Sequence, residues 1–209
     1  MKEKENFKKK KLFKNKYWCA LYIIVVLILL SFFIIIGRMD FNNKINDNER
    51  FHDDFPMVPK NNVFKYVDVV DVHFIAKGKD GIVLFGHKNN KWVEYYAYLV
   101  NKVAQDVGIK EIYYYDFYDD RRMNNATYED ILNEMSEYVV TNDMGKREIY
   151  APTLLVVHDG KIILFDDTTS FIKGNINPQE YYSEDVYIEV IGRLKNIFMD
   201  FIGRTNESK

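Results

Sequence analysis

The chain has 209 residues, room for one compact domain of about 100–150 residues plus extras. Its 29 Lys+Arg and 31 Asp+Glu give a formal net charge of -2, which on totals excludes a basic nucleic-acid binder. A single cysteine, Cys19, excludes a disulfide-stapled fold within the chain, and four prolines, ten glycines and no low-complexity tract exclude collagen-like, mucin-like and mostly disordered chains.

Charge and apolarity are unevenly distributed. Residues 1–17 hold eight lysines and two glutamates. From Cys19 to Ile36 the chain reads CALYIIVVLILLSFFIII, eighteen residues without a charge. A helix of that length rises about 27 Å, close to the roughly 30 Å hydrocarbon core of a bilayer. Fourteen of the eighteen are Leu, Ile, Val or Phe, and together they favour insertion by about 4–8 kcal/mol at most. A buried core helix is the alternative, but nothing in the run is polar enough to face solvent. Cleavage as a signal peptide is disfavoured, because the run exceeds the usual core of about 7–15 residues and Ile34-Ile35-Ile36-Gly37-Arg38 offers no small-x-small site. Cys19 precedes the apolar run, so it does not suit lipid attachment, and it sits beside Tyr17 and Trp18 at the level of an interfacial aromatic belt. By the positive-inside rule residues 1–17 form a cytoplasmic basic tail, 18–37 a single-pass signal anchor in the cell membrane, and the rest is extracytoplasmic. The lysine run reads as a solvated tail rather than a specific lipid site.

Residues 38–62 contain six asparagines, two prolines and no sustained periodicity, which predicts a linker spanning roughly 25–30 Å as a flexible coil. His52, Asp53 and Asp54 lack a further ligand at useful spacing and read as part of that solvated loop. Val63–Val67 predicts a short edge strand. Asp68 then caps a helix through Val72, Phe74 and Ile75, ended by Gly78. Gly81–Gly86, an apolar run bounded by glycines, predicts a strand buried on both faces. Between Lys91 and Val107 apolar residues recur at Trp92, Tyr95, Tyr96, Leu99, Val103 and Val107, a helical spacing stopped by Gly108.

Ile109–Phe117 is aromatic and β-branched and predicts the next strand. Thr127, with Asp130 three residues on, predicts the cap of a helix through Val140 that buries Ile131, Leu132, Met135 and Val139. Thr153–Val157 and Lys161–Phe165 flank His158-Asp159-Gly160, a hairpin by its Asp-Gly signal. Ser183 then caps a last helix with Glu184 and Asp185 in its first turn and a stripe of Val186, Val190, Leu194, Ile197, Phe198 and Phe201. The order βαβαβαββα predicts an α/β domain, a mixed sheet with helices on both faces.

That order, with Ala151-Pro152-Thr153-Leu154-Leu155-Val156-Val157 followed by Asp159-Gly160-Lys161, resembles the thioredoxin fold, whose cis-proline loop and following hairpin these residues look like. Ile82-Val83-Leu84-Phe85-Gly86 looks like its central strand and Lys91 onward like its active-site helix. The resemblance covers about residues 63–202, leaving 203–209 as a tail. It is closest to membrane-anchored or exported thioredoxin-like proteins of bacteria, including the bacteriocin-transport accessory type. The departure is chemical. Where such proteins carry Cys-x-x-Cys this chain has Asn90-Lys91-Trp92-Val93, to within one or two residues of register. Thiol–disulfide exchange needs an attacking thiolate, and Cys19 lies at the cytoplasmic end of the anchor. The acidic residue that thioredoxin buries beneath its thiols would fall near Leu84. The resemblance therefore implies a domain without dithiol activity of its own.

Peptide binding survives the loss of sulfur. In the thioredoxin fold the residue before the cis-proline offers its backbone N–H and C=O to an extended peptide, the physics of strand addition. The resemblance assigns that place to Ala151, with Pro152 as the kink and Asn90, Trp92 and Tyr150 beside it; Trp92 reads equally well as a core residue. Proline is the one residue whose cis form costs little, about 0.5–1 kcal/mol. The expected partner is an exported or envelope peptide or protein, with no nucleic acid, cofactor or metal. Two other readings stand: an accessory subunit of an export or envelope complex, and a non-thiol enzyme using His87. Asp116, Asp119 and Asp120 beside Arg121 and Arg122 read as a salt-bridged loop, and the tyrosines at 95, 96, 98, 113, 114 and 115 as core and cross-strand packing.

Overall fold

The computed structural model describes residues 25–27, 46–171 and 176–207. The chain forms two compact units, 1–45 and 46–209. In the first, Val25–Leu27 is helical; the remainder of the basic tail, of the anchor expected at 18–37 and of 38–45 lies outside the described residues. Among the described residues no helix is long and apolar enough to cross a membrane.

The second unit is a mixed α/β fold built on a five-stranded sheet. Its strands are β1 (Phe64–Tyr66), β2 (Gly81–Gly86), β3 (Ile112–Asp116), β6 (Thr153–His158) and β7 (Lys161–Asp166), in the spatial order β1-β3-β2-β6-β7. β3 runs parallel to both β1 and β2, while β6 is antiparallel to β2 and to β7. The reason lies in the connections. Helices α2 (Val69–Ala76) and α3 (Lys91–Val107) supply crossovers long enough for parallel pairing, whereas the two-residue turn after β6 permits only an antiparallel partner. In that turn Asp159 and Gly160 have φ of 48° and 71°, the pair of left-handed conformations that a tight hairpin requires.

Alternation along the strands builds two cores. Ile82 and Leu84 face one side with Tyr114, Leu154 and Val156, against helix α1 (Asp47–Asp54), α3 and helix α7 (Glu184–Glu207). Val83 and Phe85 face the other with Tyr115, Leu155 and Val157, against α2 and helix α5 (Ala126–Glu134). A short helix α4 (Tyr118–Arg122), a hairpin of β4 (Val140–Thr141) with β5 (Arg147–Glu148), a 3-10 turn (Thr168–Phe171) and helix α6 (Pro178–Tyr181) complete the unit.

β2 and α3 fall on the expected residues, and Asp68 caps α2 through hydrogen bonds from the Val70 and Asp71 N–H groups. The linker expected over 38–62 gives way to structure from Asn46 onward. Asn46 caps α1, and Phe51, Phe55 and Val58 are buried in the core. The apolar residues at 51, 55 and 58 carry that signal, diluted by the surrounding Asn and Asp. α5 is capped by Asn125 rather than Thr127 and ends at Glu134, after which Met135 and Val139 remain buried while the backbone turns into β4. The last helix begins after Ser183 and continues to Glu207, so the tail expected from 203 is helical over most of its length.

Candidate functional site

The parallel strands β1, β3 and β2 end side by side, with Tyr66 opposite Tyr114 and Gly86 opposite Asp116. Open sheets of this kind bind ligands outside the carboxyl ends of their parallel strands. Here that edge opens into a cleft of about 650 Å³ lined by Arg50, Asp54, Tyr66, His87, Lys88, Asp116 and neighbouring residues. The Arg50 guanidinium lies 3.7 Å from the centre of the Tyr66 ring, and the Tyr66 hydroxyl donates to Asp54 at 2.5 Å. Burial, the Asp54 hydrogen bond and the Asp54 charge together push the Tyr66 pKa far above its ordinary value. Asp116 accepts from the Lys88 and Tyr118 N–H groups at 3.2 and 3.3 Å, fastening the loops after β2 and β3 to one another.

The start of α3 forms the next part of the site. Asn90 caps it, accepting from the N–H groups of Trp92 and Val93 at 2.9 and 3.4 Å. Its amide donates to His87 Nε2 at 3.4 Å, and His87 Nδ1 donates to the Lys88 carbonyl at 2.9 Å. His87 Nδ1 is thus tied to the backbone, while Nε2 makes only the long Asn90 contact at the lining of the cleft. Glu94 is 3% exposed. It accepts from the Met57 N–H at 3.0 Å and pairs with Lys91 at 2.6 Å, and that bond raises the Lys91 pKa. Asn90 and Glu94 line a second cavity of about 320 Å³ together with Asp53–Pro56.

The Ala151–Pro152 bond is cis. Phe85 pairs with Thr153, which brings Pro152 to the Gly86–His87 end of β2, the same end from which α3 departs. The Pro152 carbonyl accepts from Ser170 Oγ at 2.7 Å, and the Tyr150 carbonyl from Thr153 Oγ1 at 2.7 Å. Ala151 is half-buried and touches both cores; among the described residues its N–H and C=O take part in no hydrogen bond. Trp92 is half-buried, with its ring 5.5 Å from that of Tyr181 and 6.4 Å from that of Tyr182. Tyr150 is half-buried too, and its pKa is raised by that burial and by its hydrogen bond to Glu148.

Sheet register therefore gathers Asn90, Trp92, Ala151 and Pro152 at one edge of the fold. The acidic run after β3 divides: Asp119 pairs with Arg122 at 3.2 Å, and Asp120 accepts from Tyr115 and Asn125 at 2.7 and 2.6 Å, all around the helix α4 rather than a loop. Sequence reasoning missed Arg50, Asp54 and Glu94, because Arg50 and Asp54 meet Tyr66, and Glu94 meets the Met57 N–H, across stretches of chain with no local spacing. It also missed the buried network in which Tyr96 donates to Asp166 at 2.5 Å and Arg193 pairs with Asp166 at 2.8 Å. No protein-family model matches this sequence, and no curated protein matches it either.

Proposed function

We propose that residues 46–209 form a thioredoxin-like domain without dithiol chemistry that holds an extended peptide or partner segment at the Ala151–Pro152 loop, and that the apolar run Cys19–Ile36 anchors it to the outer side of a cell membrane. The observation that carries the reading is the Ala151 backbone. Its donor and acceptor have no hydrogen-bond partner among the described residues, beside a cis-proline and next to the first turn of α3. A half-buried backbone pair without a protein partner is open to the hydrogen bonds of an added strand. The sheet order, the proline-led hairpin and the closing helix support the thioredoxin-like reading. The single cysteine of the chain supports the absence of a dithiol.

The cleft at the ends of the parallel strands carries charge of both signs, with Arg50 and Lys88 near Asp54 and Asp116. The test places a photoreactive amino acid at Trp92 of the full-length chain in intact membranes. A crosslink to a peptide or exported protein is expected there, and it should disappear when Ala151→Pro removes the N–H. A crosslink of equal strength from Lys195 on α7, or one indifferent to Ala151→Pro, would refute the site. Recovery of the chain in the soluble fraction with residues 19–36 intact would refute the anchor.

A further inference from the structure

At the opposite end of β6 lies a cluster that the peptide-binding reading does not use. β6 carries Pro152 before its first residue and His158 as its last, so the two ends are separated by about 20 Å of extended chain. His158 is 2% exposed. Its Nδ1 lies 2.8 Å from Asp80 Oδ2 and its Nε2 lies 3.5 Å from Asp159 Oδ2, yet neither ring nitrogen makes a hydrogen bond. Asp80 comes from the loop before β2 and Asp159 from the β6–β7 turn, and the Asp159 N–H donates to Asp80 Oδ1 at 2.8 Å. One ligand atom from each of the three residues can be chosen so that all lie within 4.8 Å of one another.

A separation of 2.8 Å without a hydrogen bond is informative. A protonated imidazole paired with a carboxylate points its N–H along the line between them. Two atoms that share a metal ion behave differently: each points at the ion, off the line joining them. With bonds of about 2.1 Å at a right angle they stand about 3.0 Å apart. His158 Nδ1 and Asp80 Oδ2, 2.8 Å apart, stand close to that spacing. The carboxylates of Asp80 and Asp159 are 40% and 73% exposed, which leaves room for them to adjust and for water to complete the coordination.

We propose that Asp80, His158 and Asp159 form a binding site for a divalent transition-metal ion, Zn²⁺ or Mn²⁺. One imidazole and two carboxylates, with no thiolate, suit those ions. Bound there, the ion ties the loop before β2 to the β6–β7 turn, beneath the Phe201 ring of α7, which lies edge-on to His158 at 5.7 Å.

The experiment uses the full-length chain, stripped with a chelator and titrated with Zn²⁺ and Mn²⁺ against a chromogenic chelator. One ion per chain is expected. Asp159→Asn should weaken binding at least about tenfold. Asparagine tolerates the left-handed backbone at that position, so the turn itself persists. Asp80→Asn should weaken binding comparably while still accepting from the Asp159 N–H. His158→Ala should abolish it, and the two asparagine variants keep the test independent of any damage to the core. Bound Mn²⁺ should broaden the NMR signals of the His158 ring ahead of those of His52, His73 and His87. The site is overturned if no stoichiometric binding occurs at millimolar metal, if Asp80→Asn and Asp159→Asn leave affinity unchanged, or if broadening centres on another histidine. In those cases His158 and Asp80 form a simple ion pair.

Discussion

Phe51→Ala tests whether the segment before β1 belongs to the domain or merely leads into it. The Phe51 ring is fully buried, stacked on Phe64 with centroids 4.0 Å apart and meeting Phe55 and Tyr114 at 4.8 and 5.1 Å. Truncating such a ring costs about 3–5 kcal/mol, the transfer free energy of the lost atoms plus a cavity that the surrounding rings fill incompletely. For a domain whose whole stability is about 5–15 kcal/mol, that is a large share. Urea unfolding followed by circular dichroism measures it. With a slope of about 2 kcal/mol per molar, the midpoint should fall by roughly 2 M. Pairing the change with Phe64→Ala should give a coupling of about 0.5–1.5 kcal/mol from the stacked rings. α1 also carries Arg50 and Asp54 into the cleft, so its undocking would dismantle that wall. A loss below about 0.5 kcal/mol, the level of an unremarkable surface site, would refute the placement of α1 in the core.

Three further outcomes follow from the same geometry. Asp166→Ala should destabilise by about 3–5 kcal/mol because it leaves Arg193 and the buried Tyr96 hydroxyl without their carboxylate; Tyr96→Phe alone should cost about 1.5–3 kcal/mol and nearly nothing once Asp166 is gone. Additive losses in that double-mutant cycle would contradict a shared network. Gly86→Ala places a Cβ 2.8 Å from Val93 Cγ1 and 3.0 Å from Tyr114 Cε2, so thermal denaturation should show a loss of about 1–3 kcal/mol, and an unchanged melting temperature would contradict that packing. Burial raises the pKa of Tyr96 above the ordinary value of 10.0, with the Asp166 charge adding to it, and burial raises Tyr114 likewise. The folded state therefore keeps protons that the unfolded chain releases. Its stability is full below pH 10 and should fall by about 1.4 kcal/mol per pH unit for each retained proton as pH rises further. Tyrosinate absorbance should lag until circular dichroism reports unfolding; complete titration near pH 10 with the fold intact would contradict it.

Several elements are legible in the amino-acid sequence because their signals are local. Glycines at 81, 86 and 108 punctuate β2 and the end of α3. A helical stripe marks α3, and an Asp-Gly turn marks the hairpin. The candidate loop at Ala151–Pro152 is legible for the same reason, through its proline and the apolar strand behind it. α1 is hidden, since its one buried apolar residue, Phe51, stands among asparagines and aspartates and has meaning only against Phe64 and Tyr114.

By itself the sequence determined the kind and order of the five sheet strands and the main helices between them, the apolar run near the start of the chain and the lack of a cysteine pair. The tertiary structure alone decided which distant residues meet: Arg50 with Tyr66, Tyr96 with Asp166, and Asp80 with His158. Propensity and periodicity act over a turn or two of chain. Strand order and the meeting of charges across a sheet are set by how amphipathic faces bury one another, and that is a property of the whole fold.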